Sequence, residues 1–332
     1  MSSVFGVDFG SESVKIFSSK KNRISLEKNM IAVLKPNQVI AVGDQAFAMF
    51  DKNPPGIDVR SPVTDGMIDD LDRAGFVLEK LVNRIDSGVG YAPVFYFSAP
   101  LNMSKIEKKA YVDICEDLNV RNIRVFLVDQ PLCDAIALGI PINRTRGSMV
   151  VNIGDQTTVI SVISGGQIIV SKTILLGGRS INENICDIVR RNTNIRIGLR
   201  TADRLKRVLS DCYFGKDARR TYGMDTLSGV PSEVIITSEM VNEAVMNIVN
   251  VIAHEINVFL ERIPPQIAQY VRGEGFYITG GCSRIRNITE YIEKETGTKG
   301  NLSYHHEMST INGIREIIMY KDLQKLAYTA DA

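Results

Sequence analysis

Val7-Asp8-Phe9-Gly10-Ser11-Glu12-Ser13-Val14 and Val151-Asn152-Ile153-Gly154-Asp155-Gln156-Thr157-Thr158 are two versions of one pattern. Each has a hydrophobic strand, an acid or its amide, a glycine turn, small polar residues and a second strand. A β-hairpin repeated in each half of the chain predicts two similar domains facing one another. The boundary is expected between residues 140 and 148, where Pro141, Arg144, Arg146 and Gly147 form a polar connection.

The rest of the chain agrees with this reading. Its 332 residues suit about two domains. Hydrophobic residues are 44% and charged residues 23%, a globular composition with ample core. The net charge of +1 argues against a dedicated nucleic-acid binder. No apolar run of membrane-spanning length and no leader segment is expected. Five scattered cysteines without a CxxC pair speak against a disulfide framework or zinc module and for a reducing cytoplasm. Short apolar strands are predicted at 4–7, 14–18, 94–98, 124–128, 149–153, 159–163, 168–174 and 275–278. They alternate with helices predicted at 67–85, 104–118, 131–138, 181–191, 202–211, 238–261 and 285–295, an α/β pattern of sheets covered by helices. Ser104 and Glu107 form a capping-box signature. Pro264-Pro265 should end the longest helix, and 215–231 reads as a polar surface excursion.

The repeated hairpins carry chemistry. A strand ending in Asp and turning at Gly-Ser can present successive backbone N–H groups to an anion. The nearby carboxylate can hold the water shell of Mg²⁺. One such turn is as well explained as an ordinary tight turn; two in matching order could grip a polyphosphate from both sides. Phe276-Tyr277-Ile278-Thr279-Gly280-Gly281-Cys282-Ser283-Arg284 adds a strand, a double glycine and a helix start, where a flat group can lie against the backbone. Asp203, Lys206 and Arg207 share one helix face. There a carboxylate can take ribose hydroxyls and an Arg can stack on a base; the alternative is a solvated charged face.

With these residues in view, the chain resembles the actin superfamily, most closely the bacterial actin MreB family. The matching motifs are the two hairpins, Ile278-Thr279-Gly280-Gly281-Cys282-Ser283-Arg284, Arg60-Ser61-Pro62-Val63-Thr64-Asp65-Gly66-Met67-Ile68, Leu176-Gly177-Gly178 and Ile197-Gly198-Leu199-Arg200-Thr201-Ala202-Asp203. The resemblance runs from about residue 4 to about residue 320. It implies an actin-like fold of two related lobes, each with a central mixed β-sheet flanked by helices, and four subdomains around a nucleotide cleft. Lobe I would be 1–145, with a small insertion at 30–62 and a C-terminal helix at 302–332 returning to it. Lobe II would be 146–301, with an insertion at 181–236. The cofactors implied are ATP or ADP and Mg²⁺. Asp8 and Asn152 would hold the metal through water. Gly10, Ser11, Glu12, Ser13, Gly154, Asp155, Gln156, Thr157 and Gly178 would meet the phosphates. Asp203, Lys206, Arg207, Gly280, Gly281, Ser283 and Arg284 would surround the adenosine. Gln130 and Thr158 are the implied catalytic positions. The partners implied are further copies of the chain in filaments, other MreB paralogues and cell-shape membrane proteins. Weak peripheral association with the inner face of the bacterial plasma membrane also follows from the resemblance.

Two departures bear on that chemistry. The second hairpin has Asn152 where the superfamily usually has Asp, and an amide brings no negative charge to Mg²⁺. Gln130 stands where bacterial actins carry Glu; glutamine cannot be a general base, although it can orient a water. Eukaryotic actin also has Gln at this place, so Gln130 alone does not imply inactivity; Asn152 motivates the alternative expectation, a paralogue with weak or no hydrolysis that copolymerises with an active one. His305-His306 reads as structural. In the 86–91 loop, Val89 and Tyr91 are the residues that could dip into lipid.

Overall fold

The first hairpin forms as its pattern requires. Val4–Phe9 and Ser13–Ser18 run antiparallel, with Phe9 opposite Val14 and Asp8 opposite Lys15. Nearly every residue of both strands is buried, which explains their continuous rather than alternating hydrophobicity. This computed structural model describes all residues except 1, 2, 53, 87, 119, 214, 331 and 332. It divides into two units, Met1–Ile140 with Met308–Ala332, and Pro141–Glu307.

In the first unit the sheet runs, in spatial order, Tyr328–Thr329, Arg124–Asp129, Val94–Ala99, Val4–Phe9, Ser13–Ser18, Arg23–Lys28. Ser13–Ser18 runs antiparallel to both its neighbours, Val4–Phe9 and Arg23–Lys28, while Val4–Phe9, Val94–Ala99 and Arg124–Asp129 are parallel. The second unit repeats this arrangement. Gln167–Ile174, Thr158–Ser164 and Ser148–Ile153 are antiparallel, then Phe276–Thr279 and Gly300–Leu302 continue in parallel. The echo in sequence is thus a duplicated sheet topology.

Helices cover both sheets. In the first unit Leu71–Ile85 buries Val77, Leu78, Leu81 and Val82 against the core containing Phe5, Phe95 and Phe97. On another cluster Ile311, Ile314 and Ile317 of Ser309–Met319 pack with Phe17, Val94 and Val128. In the second unit Gly178–Thr193, Leu199–Leu209 and Ser238–Arg262 share one core with Met149, Val151 and Ile160. Ser238–Arg262 is long and apolar enough by composition to cross a membrane, but half of that window is buried inside the protein. It ends before Pro264-Pro265, and Pro265–Glu274 forms a further helix not anticipated from the sequence.

Several expectations are corrected. The helix expected from residue 67 starts at Leu71, because Asp70 caps it by accepting from the Arg73 N–H (3.1 Å) and Met67–Ile68 pairs with Val63–Thr64. The helix expected from 285 begins at Ile288, preceded by the short 3₁₀ turn Gly281–Arg284. The excursion at 215–231 contributes Ala218–Asp225, a strand that pairs with Pro231–Thr237 in a small sheet with Ile195–Arg196. Val89 is buried in the first unit's core, so it does not reach lipid from where it sits; Tyr91 is exposed, and its hydroxyl accepts from Asn122 Nδ2 (2.9 Å). Ser87 of the same loop lies outside the described residues. The capping box forms with both reciprocal bonds, Glu107 N–H to Ser104 Oγ and Ser104 N–H to Glu107 Oε2.

Candidate functional site: two glycine turns and a double-glycine loop

Each hairpin turns over a glycine in the same way. The Gly10 N–H donates to the Ser13 carbonyl (3.2 Å) and the Gly154 N–H to the Thr157 carbonyl (2.9 Å). In the first unit all three turn carbonyls are then fastened. Asn29 Nδ2 donates to Gly10 O (2.8 Å), Ser61 Oγ to Ser11 O (3.1 Å) and the Asn29 N–H to Glu12 O (2.9 Å). A peptide C=O and the following N–H point in opposite directions. Fixing these carbonyls therefore turns the N–H groups of Ser11, Glu12 and Ser13 away from Asn29 and Ser61. Lys28 holds the Glu12 side chain at 2.5 Å.

The second turn uses different fasteners for the same result. The Gly178 N–H donates to Gly154 O (3.0 Å) and the Arg179 N–H to Asp155 O (2.7 Å). This turns the N–H groups of Asp155 and Gln156 away from the 177–179 segment. The approach is close enough that a Cβ at Gly177 would lie 2.6 Å from Asp155 O and 2.7 Å from Gly154 O, so only glycine fits. Thr158 is fully buried and its hydroxyl donates to the Leu176 carbonyl (2.8 Å). That bond ties the strand's first residue to the segment that precedes Gly177-Gly178.

The residues expected around adenosine gather in the same unit. Lys206 is only 8% exposed, so the helix face at 203–207 is not simply solvated. Its ammonium donates to the Gly178 carbonyl (3.0 Å) and pairs with Asp203 (3.2 Å), while Arg207 pairs with the same carboxylate (2.8 Å). Cys282 Sγ reaches Gly154 O at 3.4 Å, joining the loop at 280–284 to the second glycine turn. Gly280 has φ 89°, and a Cβ there would meet Ile153 O at 2.4 Å and Asn152 Oδ1 at 2.5 Å. At Gly281, by contrast, a Cβ would meet nothing within 4 Å, leaving room over the backbone. The Ser283 hydroxyl is turned inward, to Gly280 O (2.7 Å) and His306 Nδ1 (2.7 Å), so it shapes the loop. Arg284 makes a two-pronged pair with Glu307 (2.6 and 2.9 Å) and remains largely exposed. Burial, and then the charge of Arg284, hold His306 below its ordinary pKa.

Asp129 and Gln130 open the helix Gln130–Ala137. Tyr328 donates its hydroxyl to Asp129 (3.0 Å). Burial raises the Asp129 carboxyl, against that hydrogen bond and the Lys108 charge.

The residues assigned to Mg²⁺ do not fit that task well. Asp8 is buried, with Lys15 Nζ on Oδ2 (2.8 Å) and Ser98 Oγ on Oδ1 (2.9 Å). The first unit therefore offers a charge-neutral pair. Asn152 contributes only a neutral amide, its oxygen packed near Gly280. Among the described residues no group of three or more His, Cys, Asp or Glu side chains is placed to hold a metal ion. Lys15, Asn29, Ser61 and Ser98 were missed as site residues in the sequence. Only Ser61, within the Arg60-to-Ile68 motif, carried a signal there.

Residues 2–326 match the MreB/Mbl protein family. The chain belongs to the MreB/Mbl family. Among relatives, this family member is 30% identical over 296 residues to the cell shape-determining protein Mbl of Bacillus subtilis, covering 87% of this chain and 88% of that one. It is 29% identical over 300 residues to the cell shape-determining protein MreB of Escherichia coli, covering 88% and 86%. Its fold is actin-like. It superimposes on MreB5 of Spiroplasma citri bound to ADP with a TM-score of 0.90 at 25% identity, covering 98% of both chains. The MamK double helical filament shares the fold, with a TM-score of 0.80 at 19% identity, over 96% of this chain and 99% of that one.

Proposed function

We propose that this MreB/Mbl-family chain is an adenine-nucleotide-binding cytoskeletal protein that assembles with copies of itself into filaments and helps set cell shape. The observation that carries this reading is the pair of like-built turns whose carbonyls are fastened inward. Such turns aim backbone N–H groups outward at no further ordering cost when an anion arrives. The N–H groups of Ser11, Glu12 and Ser13, and those of Asp155 and Gln156, bind phosphate oxygens, and Gly10 and Gly154 make the turns possible. Asp203 accepts from ribose hydroxyls, Arg207 and Arg284 flank the base, and Gly280-Gly281 lets it lie on the backbone. The ADP bound to the Spiroplasma protein and the shape-determining names of the relatives support the same reading.

The assembled protein is cytoplasmic, with other MreB paralogues and cell-shape membrane proteins as further partners, and lobes near 1–145 and 146–301 act as its working bodies. A second reading, a scaffold with little hydrolysis, is favoured by one observation: Asn152 stands where a carboxylate is expected and brings no negative charge to a metal. Sedimentation and electron microscopy of the purified chain with ATP, ADP or neither test assembly. A monomer under every nucleotide condition, with lipid vesicles included, would sink the filament reading. Phosphate release measured on the same samples separates an active filament from the scaffold.

A further inference from the structure

Bonds from three residues of the double-glycine loop converge on His306, across 23 to 27 positions of sequence. The His306 carbonyl accepts from Thr279 Oγ1 (3.0 Å) and from the Gly280 N–H (3.3 Å). Its Nδ1 lies 2.7 Å from Ser283 Oγ. That last bond has a fixed direction, because a hydroxyl carries one proton. Ser283 gives its proton to the Gly280 carbonyl (2.7 Å), so its oxygen accepts from His306 Nδ1–H. Burial, and then the charge of Arg284, hold the imidazole below its ordinary pKa. At neutral pH the ring therefore carries a single hydrogen, on Nδ1. The His306 backbone has φ 47°, a left-handed conformation that a residue other than glycine keeps only where its surroundings fix it. On its other side the loop has no slack, since Gly280 lies directly against Ile153 and Asn152.

We propose that His306 is the positioning residue for the base: its carbonyl and its Nδ1–H set the Gly280-Gly281 backbone on which adenine lies, so it governs affinity for the adenosine half of the nucleotide and not for the phosphates. The inference rests on the nucleotide reading above and deepens it. The two glycine turns are fastened by Asn29, Ser61, Gly178 and Arg179, in bonds that do not involve His306. A loop already held in shape binds its ligand without a further ordering cost. Loss of the Nδ1 bond should therefore weaken ADP and leave pyrophosphate unchanged. Cys282 also joins the loop to the second glycine turn, so a general loosening would reach pyrophosphate as well.

The test is calorimetric titration of ADP and of pyrophosphate, in one buffer, into the wild-type chain, His306→Gly and His306→Asn. Glycine suits φ 47° and removes the donor while keeping the carbonyl. Asparagine tolerates the same conformation and places an amide N–H close to where Nδ1 stands. His306→Gly should weaken ADP about fivefold or more, the loss of one hydrogen bond, with pyrophosphate within about twofold of wild type. His306→Asn should bring ADP back to within about twofold of wild type. Unchanged ADP binding by His306→Gly, or ADP and pyrophosphate weakened together, overturns the inference and leaves the nucleotide reading intact. A His306→Asn chain as weak as His306→Gly overturns the role given to Nδ1. No ADP binding by the wild-type chain overturns the inference and the nucleotide reading together. Thermal midpoints are checked first. If His306→Gly does not fold, Ser283→Ala breaks the same bond from the loop side and should show the same selective loss; unchanged ADP binding there again overturns the inference.

Discussion

Asn29→Ala tests whether the first turn is an anion site because its carbonyls are tied down. Asn29 is 0% exposed, and its side-chain amide is the donor to the Gly10 carbonyl, at 2.8 Å. Removing it strands a part-buried acceptor, at a cost toward the lower end of about 1–3 kcal/mol. The Asn29 Oδ1 atom has no hydrogen-bond partner among the described residues, so its loss recovers part of that. A net loss of about 1–2 kcal/mol is expected, while the backbone bond from the Asn29 N–H to Glu12 O survives. If the same energy holds the turn in its binding shape, ADP affinity falls by about five- to thirtyfold. Urea unfolding gives the stability change, and calorimetric titration with ADP gives the affinity. Ser61→Ala, which removes the 3.1 Å bond to Ser11 O, should act in the same direction with a smaller effect of about 1 kcal/mol. Stability falling while ADP affinity stays within about twofold would refute the reasoning. In that case Asn29 supports the fold and has no part in preparing the turn.

Two further outcomes follow from the second unit. Gly280→Ala places a Cβ 2.4 Å from the Ile153 carbonyl at φ 89°, a backbone clash added to about 1–3 kcal/mol of conformational strain. Hydrogen exchange should show faster opening of Phe276–Thr279 and Ser148–Ile153 than of the first unit's strands; wild-type protection would contradict the clash. His306 titrates below its ordinary value of 6.5 in the folded protein, chiefly through burial. The unfolded chain therefore binds the proton more tightly, so stability is complete above about pH 6.5 and falls as pH drops through the lowered value. Unfolding midpoints across pH 5 to 7 should show this slope, and His306→Gln should flatten it; an equal slope in the variant would assign it to other groups.

Much of the fold was legible because its hairpins are local. Strand, glycine turn and strand lie within the short stretches Val4 to Ser18 and Ser148 to Ser164, and the turn itself sets the register. The repeat therefore announced the duplicated sheets, and the long amphipathic helices announced their covering. What escaped were elements whose stability comes from distant partners. The C-terminal helix expected over 302–332 is confined to Ser309–Met319, the stretch whose Ile311, Ile314 and Ile317 meet Phe17 and Val94 from the other end of the sequence. The exposed strand Ala218–Asp225 has little hydrophobic pattern of its own, and its pairing with Pro231–Thr237 makes it a strand.

The candidate site divides in the same manner. The sequence by itself determined the glycine turns, the double glycine and the charged helix face, because each depends on residues close together in the chain. Only the tertiary structure decided how those groups are used. It put Asn29 and Ser61 under the first turn, residues 19 and 50 positions away from the carbonyls they fasten. It buried Lys206 against Gly178 and turned the Ser283 hydroxyl inward to His306. Above all it paired Lys15 with Asp8 out of contact with water, changing a carboxylate expected to attract a metal into half of a neutral pair. Charge in a protein site is set by burial and by what stands within about 4 Å, and neither is written in the order of the residues.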